Sequence, residues 1–444
     1  MATIAVIGSG ISGNAAAWAL HSFGNHQVTL YETRLRPGGH SATVDVHYGD
    51  AVLSVDTGFI VYNGRNYPDL TAMFAYLGVA TEWSDMSLGI SVGDGALEWS
   101  GDSLDAVFAQ RRNLASPRFL TMLQSIFRFN KQAMRDLEQG ALSGLSLGDY
   151  LKKNRYPRCF IEDYLVPMGA AIWSTPDAQM MHFPAESFLR FFSNHRLLEL
   201  RPPEWRTVTG GSRNYVEKLV APLGDRVLLG RKVTNVRRVD DGVRVTDSSG
   251  DERVFDEVVM AAHSDQSLAM LSDASEAEAS ILSAVPYRPN TVYLHRDPKL
   301  MPKRQKVWAA WNYMSAGRHG AERNDVSVSY WMNKLQNIDH DKPLFISLNP
   351  LHEPDPDLVF LKTEYDHPQF GAEALDAQQR LPSVQGKNGV WFAGAWTGYG
   401  FHEDGLRSGL DVAEALGATA PWRRDLDPTA NVDLPDAVAI AAAE

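Results

Sequence analysis

The sequence has a single cysteine, Cys159, among its 444 residues. One thiol cannot form an internal disulfide, and no group of metal-ligating residues surrounds it, so we predict a small buried apolar residue there. The chain also lacks an uncharged apolar run approaching the roughly 20 residues that cross a bilayer. Its N-terminus, MATIAVIGSG, has no basic flank and runs directly into a strand pattern, unlike a signal peptide. These absences predict a cytoplasmic protein.

The chain has fewer basic than acidic residues. Lys and Arg number 42 against 54 Asp and Glu, which gives a net charge of -12. An acidic chain repels phosphate backbones, so nucleic acid is excluded as the expected partner. Apolar residues make up 44% and charged residues 22%, which is typical of globular proteins, and the length predicts two to three domains.

The two ends and the middle of the chain carry the patterns of one parallel sheet. Residues 2–7 form an apolar run, a glycine-rich turn and an Ala-rich helical stretch follow, and residues 26–32 read as a second strand. Residues 256–262 and 389–395 are two further buried-strand patterns, and a helix is expected at about 403–416. One domain is therefore assembled from separated segments.

The segments in between have a different character. Residues 86–204 read as helical and aromatic, and four later stretches alternate as in an antiparallel sheet, namely 290–297, 306–313, 326–334 and 344–349. We predict an α/β protein in which a Rossmann-type domain is interrupted by an α+β substrate domain with an antiparallel sheet. The predicted bounds are 1–85, 205–265 and 385–420 for the first domain, 86–204 and 266–384 for the second, and 421–444 for a loose tail.

A dinucleotide-binding motif follows the first strand. Gly8, Gly10 and Gly13 match G-x-G-x-x-G between a strand and a helix that contains Ser12. The helix N-terminus would face the phosphates with free N–H groups. Glu32 ends the second strand, where its carboxylate can accept hydrogen bonds from ribose hydroxyls. The alternative is a glycine turn without a ligand.

Five further segments resemble the flavin amine oxidase and phytoene desaturase superfamily. They are Glu32–Ser41, with Arg34, Gly39, His40 and Ser41; Val55–Ile60, with Thr57, Gly58, Phe59 and Ile60; Gly230–Val236, with Val233; and the C-terminal segments Phe392–Ala395, with Gly394 and Ala395, and Glu403–Leu406, with Asp404, Gly405 and Leu406. The resemblance implies an amine oxidase-like fold and noncovalently bound FAD held by these residues. His40 stands where that family usually has Arg, and Ala395 where it has an acid. A helix N-terminus directed at the flavin would stabilise the negative charge gained on reduction.

Two positions depart from the amine oxidases of that superfamily. By a rough matching of strands, Asn290 stands where those enzymes carry a lysine, and His402 replaces an aromatic residue before the last helix. Both departures argue against amine oxidation.

Longer stretches are similar to a narrower bacterial group of FAD-dependent proteins associated with cyclopropane-fatty-acid-synthase-like methyltransferases. They are Asp56–Asn63, Ile161–Pro176, Trp205–Ser212 and Gly398–Ser408. A member of that group is a fatty-acyl desaturase of furan fatty acid synthesis. The resemblance implies an unsaturated fatty acyl chain, held in phospholipid, as substrate and a methyltransferase as partner.

Dehydrogenation of such a chain requires a base near the flavin. His402 is the first candidate and Tyr399 and Tyr62 are alternates; the other role for His402 is to position the isoalloxazine ring. His182 and His263 are expected to be structural, with His263 near the adenosine. Competing functions are double-bond isomerisation, amine oxidation, and a flavin-binding partner without activity of its own.

Two patterns in the predicted substrate domain bear on a lipid substrate. Residues 106–135 hold six basic residues and no acid, among apolar ones. This pattern predicts either a surface that docks on an anionic membrane or a solvated basic face over a helical core. Five aromatic residues on two probable strands, Trp308, Trp311, Tyr313, Tyr330 and Trp331, predict either an apolar tunnel or a core patch.

Overall fold

The structure is a computed structural model that describes residues 1–142, 144–173, 180–194, 197–198, 203–317 and 326–424. Most of the predicted C-terminal tail and the end of the Ile161–Pro176 segment lie outside the described residues.

The strands are numbered here in chain order. They are β1 Thr3–Ile7, β2 Gln27–Glu32, β3 Thr43–Tyr48, β4 Ala51–Asp56, β5 Val61–Asn63, β6 Thr81–Trp83, β7 Leu88–Val92, β8 Leu97–Ser100, β9 Trp205–Val208, β10 Val227–Leu229, β11 Val233–Val239, β12 Gly242–Asp247, β13 Glu252–Phe255, β14 Glu257–Met260, β15 Tyr287–His295, β16 Trp311–Ser315, β17 Val326–Trp331, β18 Phe345–Leu348, β19 Val359–Pro368 and β20 Val390–Phe392.

Helices connect and cover these strands. The α-helices include Ile11–Gly24, Pro68–Leu77, Leu104–Val107, Pro117–Glu138, Leu147–Lys153, Arg158–Phe160, Val166–Trp173, Ala185–Asn194, Arg213–Val220, Ser264–Met270, Glu276–Leu282, Met332–Leu335, Ala372–Arg380 and His402–Ala415. A π-helical turn, Ile161–Leu165, joins two of them. In the part of the chain that is described, no helix combines the length and the apolar character needed to span a bilayer.

A five-stranded parallel sheet is built from the beginning, the middle and the end of the chain, as predicted. Its order is β10-β2-β1-β14-β20, and every neighbouring pair is parallel. The carboxyl ends of its strands therefore meet at one edge, which is where doubly wound sheets bind nucleotides. The domain bounds given above stay a prediction.

The second large sheet has seven strands in the order β19-β15-β18-β17-β16-β7-β8. Its pairs are antiparallel except for β16 with β7, which run parallel. The wholly helical interpretation of residues 86–204 is wrong at its start, because β7 and β8 complete this sheet. Gly93 to Gly95 turn the chain between β7 and β8. This turn signal was missed because the residues that follow are rich in aromatic side chains and helical patterns.

Helices form a third layer beside that sheet. Their buried aromatic side chains, including Phe129, Tyr150, Phe160 and Phe188, pack with Ile90 and Tyr313 of the seven-stranded sheet. Cys159 is buried in this layer, as predicted.

The first helix and the last helix cross in close contact. A Cβ on Gly409 would lie 2.1 Å from the backbone oxygen of Ser12, and a Cβ on Gly13 would lie 1.8 Å from the oxygen of Gly8. Both distances are far below a van der Waals contact, so glycine is required at 409, where the last helix crosses Ser12, and at 13, where the first helix packs on Gly8.

Candidate functional site

A cavity of about 870 Å³ separates the parallel sheet from the seven-stranded sheet. At one end it is lined by the residues that follow β1, β2, β14 and β20. At the other end it is lined by side chains of β15, β16, β17 and β18. The cavity thus joins the nucleotide edge of one sheet to the face of another, which allows a cofactor and a substrate to meet.

The dinucleotide motif forms the first end. Gly8, Gly10 and Ser12 line the cavity, and Gly10 immediately precedes the helix Ile11–Gly24. Glu32 also lines it, and its carboxylate accepts hydrogen bonds from Ser9 N at 3.0 Å and from Arg34 N at 2.7 Å. A fixed carboxylate beside a helix N-terminus suits ribose and pyrophosphate groups.

The loop after Glu32 is held by its own side chains. Arg36 donates to the carbonyl of Gly39 at 3.2 Å, and Arg34, Gly39 and His40 line the cavity. Burial lowers the pKa of His40 well below its usual range, so its ring is neutral. A neutral imidazole cannot replace the charge of the family's arginine toward a phosphate, but it can still donate or accept one hydrogen bond.

The segment after β4 lies under the middle of the cavity. Thr57, Gly58, Phe59 and Ile60 all line it. Thr57 Oγ1 lies 2.9 Å from the hydroxyl of Tyr365, which fixes the segment to the seven-stranded sheet.

His402 stands at the start of the last helix, in contact with that segment. Its ring stacks on Phe59 with the ring centres 3.9 Å apart, and its Nε2 lies 2.6 Å from the hydroxyl of Tyr215. Tyr215 is in turn hydrogen-bonded to Ser41. Burial lowers the pKa of His402 to about 3, so the ring is neutral.

Three hydrogen-bonding groups meet at His402, since Ser41 Oγ also lies 3.4 Å from its Nε2. If Ser41 donates to Tyr215 and Tyr215 donates to His402 Nε2, every hydroxyl proton has an acceptor. In that arrangement His402 carries its proton on Nδ1 and would be a donor there. The role of His402 as base or as positioning residue stays a prediction.

The turn before the last helix completes the middle of the cavity. Gly394 and Ala395 line it, whereas Asp404, Gly405 and Leu406 do not. Asp404 accepts hydrogen bonds from the backbone N–H groups of Tyr399 and Phe401, at 3.1 and 2.9 Å, and so caps the helix.

The two alternate base candidates lie away from the cavity. Tyr62 is buried in the main core, and Tyr399 is 39% exposed; neither lines the cavity. Gly13 and Ser41 are also behind the lining, where Gly13 allows the close helix packing and Ser41 holds Tyr215. Val233 lines the first end, as the motif predicts.

Residues that sequence reasoning did not assign to the site surround His40. His263 and His367 both line the cavity, with rings centred 6.3 and 6.0 Å from that of His40. Burial lowers the pKa of His263, and it lowers the pKa of His367 to about 4. The structural role expected for His263, near the adenosine, stays a prediction. Tyr365 and His367 alternate on β19, a strand-like signal that could have placed them on one face.

The other end of the cavity is apolar. Trp311 pairs directly with Tyr330 across β16 and β17, and their ring centres are 4.8 Å apart. The further side chains that line this end are Met86, Leu88, Met168, Phe191, Leu197, Trp205, Val292, Ile346 and Leu348. None of these residues is charged. We refer to this set, with Trp311 and Tyr330, as the apolar end.

The five predicted aromatic residues divide between two environments. Only Trp311 and Tyr330 line the cavity. Tyr313 packs in the helical layer, while Trp308 and Trp331 contact each other at 5.5 Å between ring centres.

Asn290 does not line the cavity. It is fully buried, and its side-chain oxygen accepts a hydrogen bond from Asn349.

Unpartnered polar atoms test whether the cavity suits a flavin nucleotide. His40 Nε2, His263 Nδ1 and Trp396 Nε1 are buried without a hydrogen-bond partner among the described residues, and all three residues line the cavity. Buried donors and acceptors without partners are rare in folded proteins. Together with Glu32 and the helix N-terminus, they fit a large ligand that offers many polar atoms, as FAD does.

Comparison with known proteins agrees with this assignment. Residues 11–417 match the family model described as flavin containing amine oxidoreductase. The match covers most of the chain, and the chain therefore belongs to that family. Its cofactor is FAD, as predicted, and its catalytic class is that of a flavin-containing oxidoreductase.

Individual relatives are distant. The chain is 26% identical over 369 residues, 78% of this chain and 70% of the other, to a Mycobacterium tuberculosis protein named as a flavin-containing monoamine oxidase. Among solved structures, putrescine oxidase with bound putrescine has a TM-score of 0.64 at 15% identity, over 94% of this chain and 99% of the other. A CLA-producing fatty acid isomerase from P. acnes has a TM-score of 0.65 at 15% identity, over 93% and 98%. These similarities confirm the amine oxidase-like fold.

Proposed function

We propose that this oxidoreductase removes two hydrogens from an unsaturated fatty acyl chain, either free or in a phospholipid of the furan fatty acid pathway. The observation that carries the proposal is the apolar end of the cavity. The eleven side chains of this set are uncharged, and the two acids of β19 that line the same cavity, Glu364 and Asp366, lie outside the set. Burial of each methylene of an acyl chain there contributes about 0.8 kcal/mol, whereas an amine would leave its charge unpaired.

The residues present fit FAD in a defined order along the cavity. Gly10, Ser12 and Glu32 would hold the pyrophosphate and ribose, Val233 would meet the adenine, and Thr57 to Ile60 would lie against the ring. Cys159 does not line the cavity, which supports noncovalent attachment. The chemistry that FAD supplies when bound is acceptance of two electrons with a hydride, followed by reoxidation by oxygen or another acceptor.

The protein must orient the acyl chain and accept a proton from it. Trp311 and Tyr330, which pack edge to face, would form one wall of the acyl-chain site, and the apolar lining would exclude water. Loss of a hydride from a carbon beside a double bond leaves the neighbouring C–H bond strongly acidic, so a weak base is sufficient. The neutral rings of His263 and His367, which lie beside His40, would be such bases for acyl carbons that reach this part of the cavity. His402, with its proton on Nδ1, would position the ring system instead.

Isomerisation of the double bond is the second candidate function, and the imidazoles of His263 and His367 favour it. Their lowered pKa values make them weak bases. Weak bases are compatible with isomerisation because a shift of the double bond along the acyl chain removes no proton overall and leaves the substrate mass unchanged. One solved structure of similar fold is titled as a fatty acid isomerase. Amine oxidation is the third candidate, because relatives and similar folds are named as amine oxidases.

A single experiment separates these candidates. The protein is mixed anaerobically with vaccenoyl phospholipid while the flavin absorbance is followed, and the lipid is then analysed by mass spectrometry. Persistent bleaching with loss of two hydrogens supports dehydrogenation. An unchanged mass with a moved double bond supports isomerisation. Stearoyl phospholipid, which lacks a double bond, is the matched control. Bleaching by putrescine with no response to the acyl substrate would overturn the proposal.

The methyltransferase partner stays a prediction. Copurification of the protein with a cyclopropane-synthase-like methyltransferase would test it. Conversion of acyl substrate by the purified chain alone would exclude a purely supportive role.

A further inference from the structure

The helix Pro117–Glu138 presents an exposed stripe to solvent. Leu120, Gln124, Phe127 and Lys131 recur at spacings of three and four, so they share one face. Phe127 is 61% exposed and Leu120 is 44% exposed. The opposite face, with Phe119, Met122 and Phe129, is buried in the helical layer. Large apolar side chains that the core does not need therefore project outward.

Cations without acidic partners surround this stripe. Arg128 donates to the backbone oxygens of Asn154 and Arg155, which brings the segment 152–155 beside the helix. We call Arg128, Lys131, Lys152, Lys153 and Arg155, with Leu120 and Phe127, the basic face. None of its five cations makes an ion pair with a described residue.

Other basic residues of the same stretch behave differently. Arg111 pairs with Asp105, Arg118 with Glu162 and Asp163, and Arg135 with Asp136. They are therefore neutralised within the protein. The chain as a whole has a net charge of -12. The basic face is locally positive, because its five cations have no ion-pair partners among the described residues and surround two exposed apolar residues. Two exposed acids lie beside these cations, Glu138 at the end of the stripe and Asp149 one turn before Lys152 and Lys153.

We propose that the basic face docks this protein on an anionic lipid bilayer. The cations are complementary to the headgroups, and Phe127 and Leu120 can enter the boundary of the acyl region, as in amphipathic interfacial helices. An acidic protein would match the charge, but it would give the two apolar side chains no comparable environment. This inference goes beyond the proposed function and needs no turnover for its test.

The basic face is coupled to the cavity through one helix. Ser193 of the helix Ala185–Asn194 donates to Met134 Sδ at 3.4 Å, and Phe191 of the same helix lines the apolar end. Docking would thus place a bilayer on the helical layer that encloses the apolar end of the cavity.

Vesicle cosedimentation of the full-length holoprotein tests the proposal. Vesicles of phosphatidylcholine are compared with vesicles that also contain phosphatidylglycerol, at low and high salt. We expect binding to the anionic vesicles only, weakened by salt because the charges are exposed. Equal binding to both vesicle types, or no binding to either, would overturn the proposal; the second result would point to an acidic protein partner.

Two variants and matched controls locate the binding surface. Lys131→Glu combined with Lys153→Glu should weaken anionic vesicle binding at least about tenfold. Arg237→Glu combined with Lys299→Glu changes the net charge equally on exposed positions elsewhere and should leave binding unchanged. Phe127→Ser should also weaken binding, whereas Val52→Ser, at another exposed apolar residue, should not. An equal loss in the control variants would refute the assigned face. Thermal unfolding of each variant confirms that it is folded.

Discussion

The hydroxyl of Tyr215 lies 2.6 Å from Nε2 of His402 and, through Ser41, fixes the ring of His402 in one orientation. Tyr215 is fully buried, and burial raises the pKa of its hydroxyl. The hydroxyl therefore stays protonated at every physiological pH and has a proton to donate to the imidazole. A buried tyrosine outside the cavity thus holds the ring that His402 presents inside it.

Removal of that hydroxyl should change the flavin environment. Tyr215→Phe removes the 2.6 Å partner of His402 Nε2 and leaves it only the longer contact with Ser41 Oγ at 3.4 Å, at a cost of about 1 to 3 kcal/mol in the free energy of unfolding. We also expect a shift of the visible flavin spectrum and of its reduction potential, because the tautomer is no longer fixed. Tyr150→Phe is the control, since its hydroxyl bonds Asp136 at 3.0 Å in the helical layer. It should destabilise the protein without altering the spectrum; an equal spectral change in both variants would contradict the argument.

Substitution of His402 itself should separate positioning from proton transfer. His402→Gln keeps a side-chain donor, so the protein should stay yellow while kcat falls by up to about 100-fold through misplacement of the reacting groups. The pH profile of kcat should keep its shape, because a group with a pKa of about 3 does not titrate near neutral pH. Loss of an inflection between pH 5 and 8, present in the wild type, would identify His402 as the base.

A glycine substitution can test the cofactor end without disturbing the fold. A Cβ on Gly10 would meet no protein atom within 4 Å, although Gly10 lines the cavity. Gly10→Ala should therefore fold normally and yet bind FAD at least about tenfold more weakly, since the backbone must approach the pyrophosphate. Gly101→Ala is the control, because its Cβ would also meet nothing within 4 Å. Unchanged FAD affinity in a titration of the apoprotein would contradict the assigned cofactor position.

Much of the cofactor end could be predicted from the sequence because its determinants are local. Gly8 to Gly13 encode a turn and a helix start, Glu32 ends the adjacent strand, and His402 to Leu406 begin a helix. Each of these elements is defined by a few neighbouring residues, so sequence motifs and hydrophobic periodicity are sufficient to predict it.

The position of His40 follows from the loop pattern after Glu32, but its grouping with His263 and His367 could not be predicted in this way. His40, His263 and His367 come from a loop, a strand end and β19, and only the packing of the two sheets brings them together. Tyr215 carries no motif at all. β7 and β8 were missed for a similar reason, since their partner β16 lies far along the chain. Tertiary contacts of this kind leave only weak signals in a single sequence.

Buried histidines should make the protein sensitive to acid. Burial lowers the pKa values of His295 and His367 to about 4. In the unfolded chain these groups bind protons from about pH 6.5 downward. The unfolded state therefore holds more protons between those values, and the free energy of unfolding must fall as the pH drops from about 6.5 toward 4.

The pH dependence of the melting temperature checks this expectation. His295→Asn should flatten the decline between neutral pH and about pH 4.5, because one titrating group is removed. His182→Asn, at an exposed position, should leave the slope unchanged. A melting temperature that stays constant over this range would contradict the assignment of neutral buried rings.

The last described turn of the chain is tied to the second helix by an ion pair. Arg423 donates to Asp69 at 2.7 Å and to Asp411 at 2.6 Å, and the side chains of Arg423 and Asp69 are only 10% and 6% exposed. Trp422 stacks near Trp18 and donates to Asp69 as well. Arg423→Ala leaves the Asp69 carboxylate buried without its main cation, so the free energy of unfolding should fall by about 3 to 5 kcal/mol. Arg253→Ala, which breaks an exposed pair with Asp251, should cost less than about 1 kcal/mol. Chemical denaturation of the two variants measures both values, and similar small losses would show that the C-terminal segment is not held through Asp69.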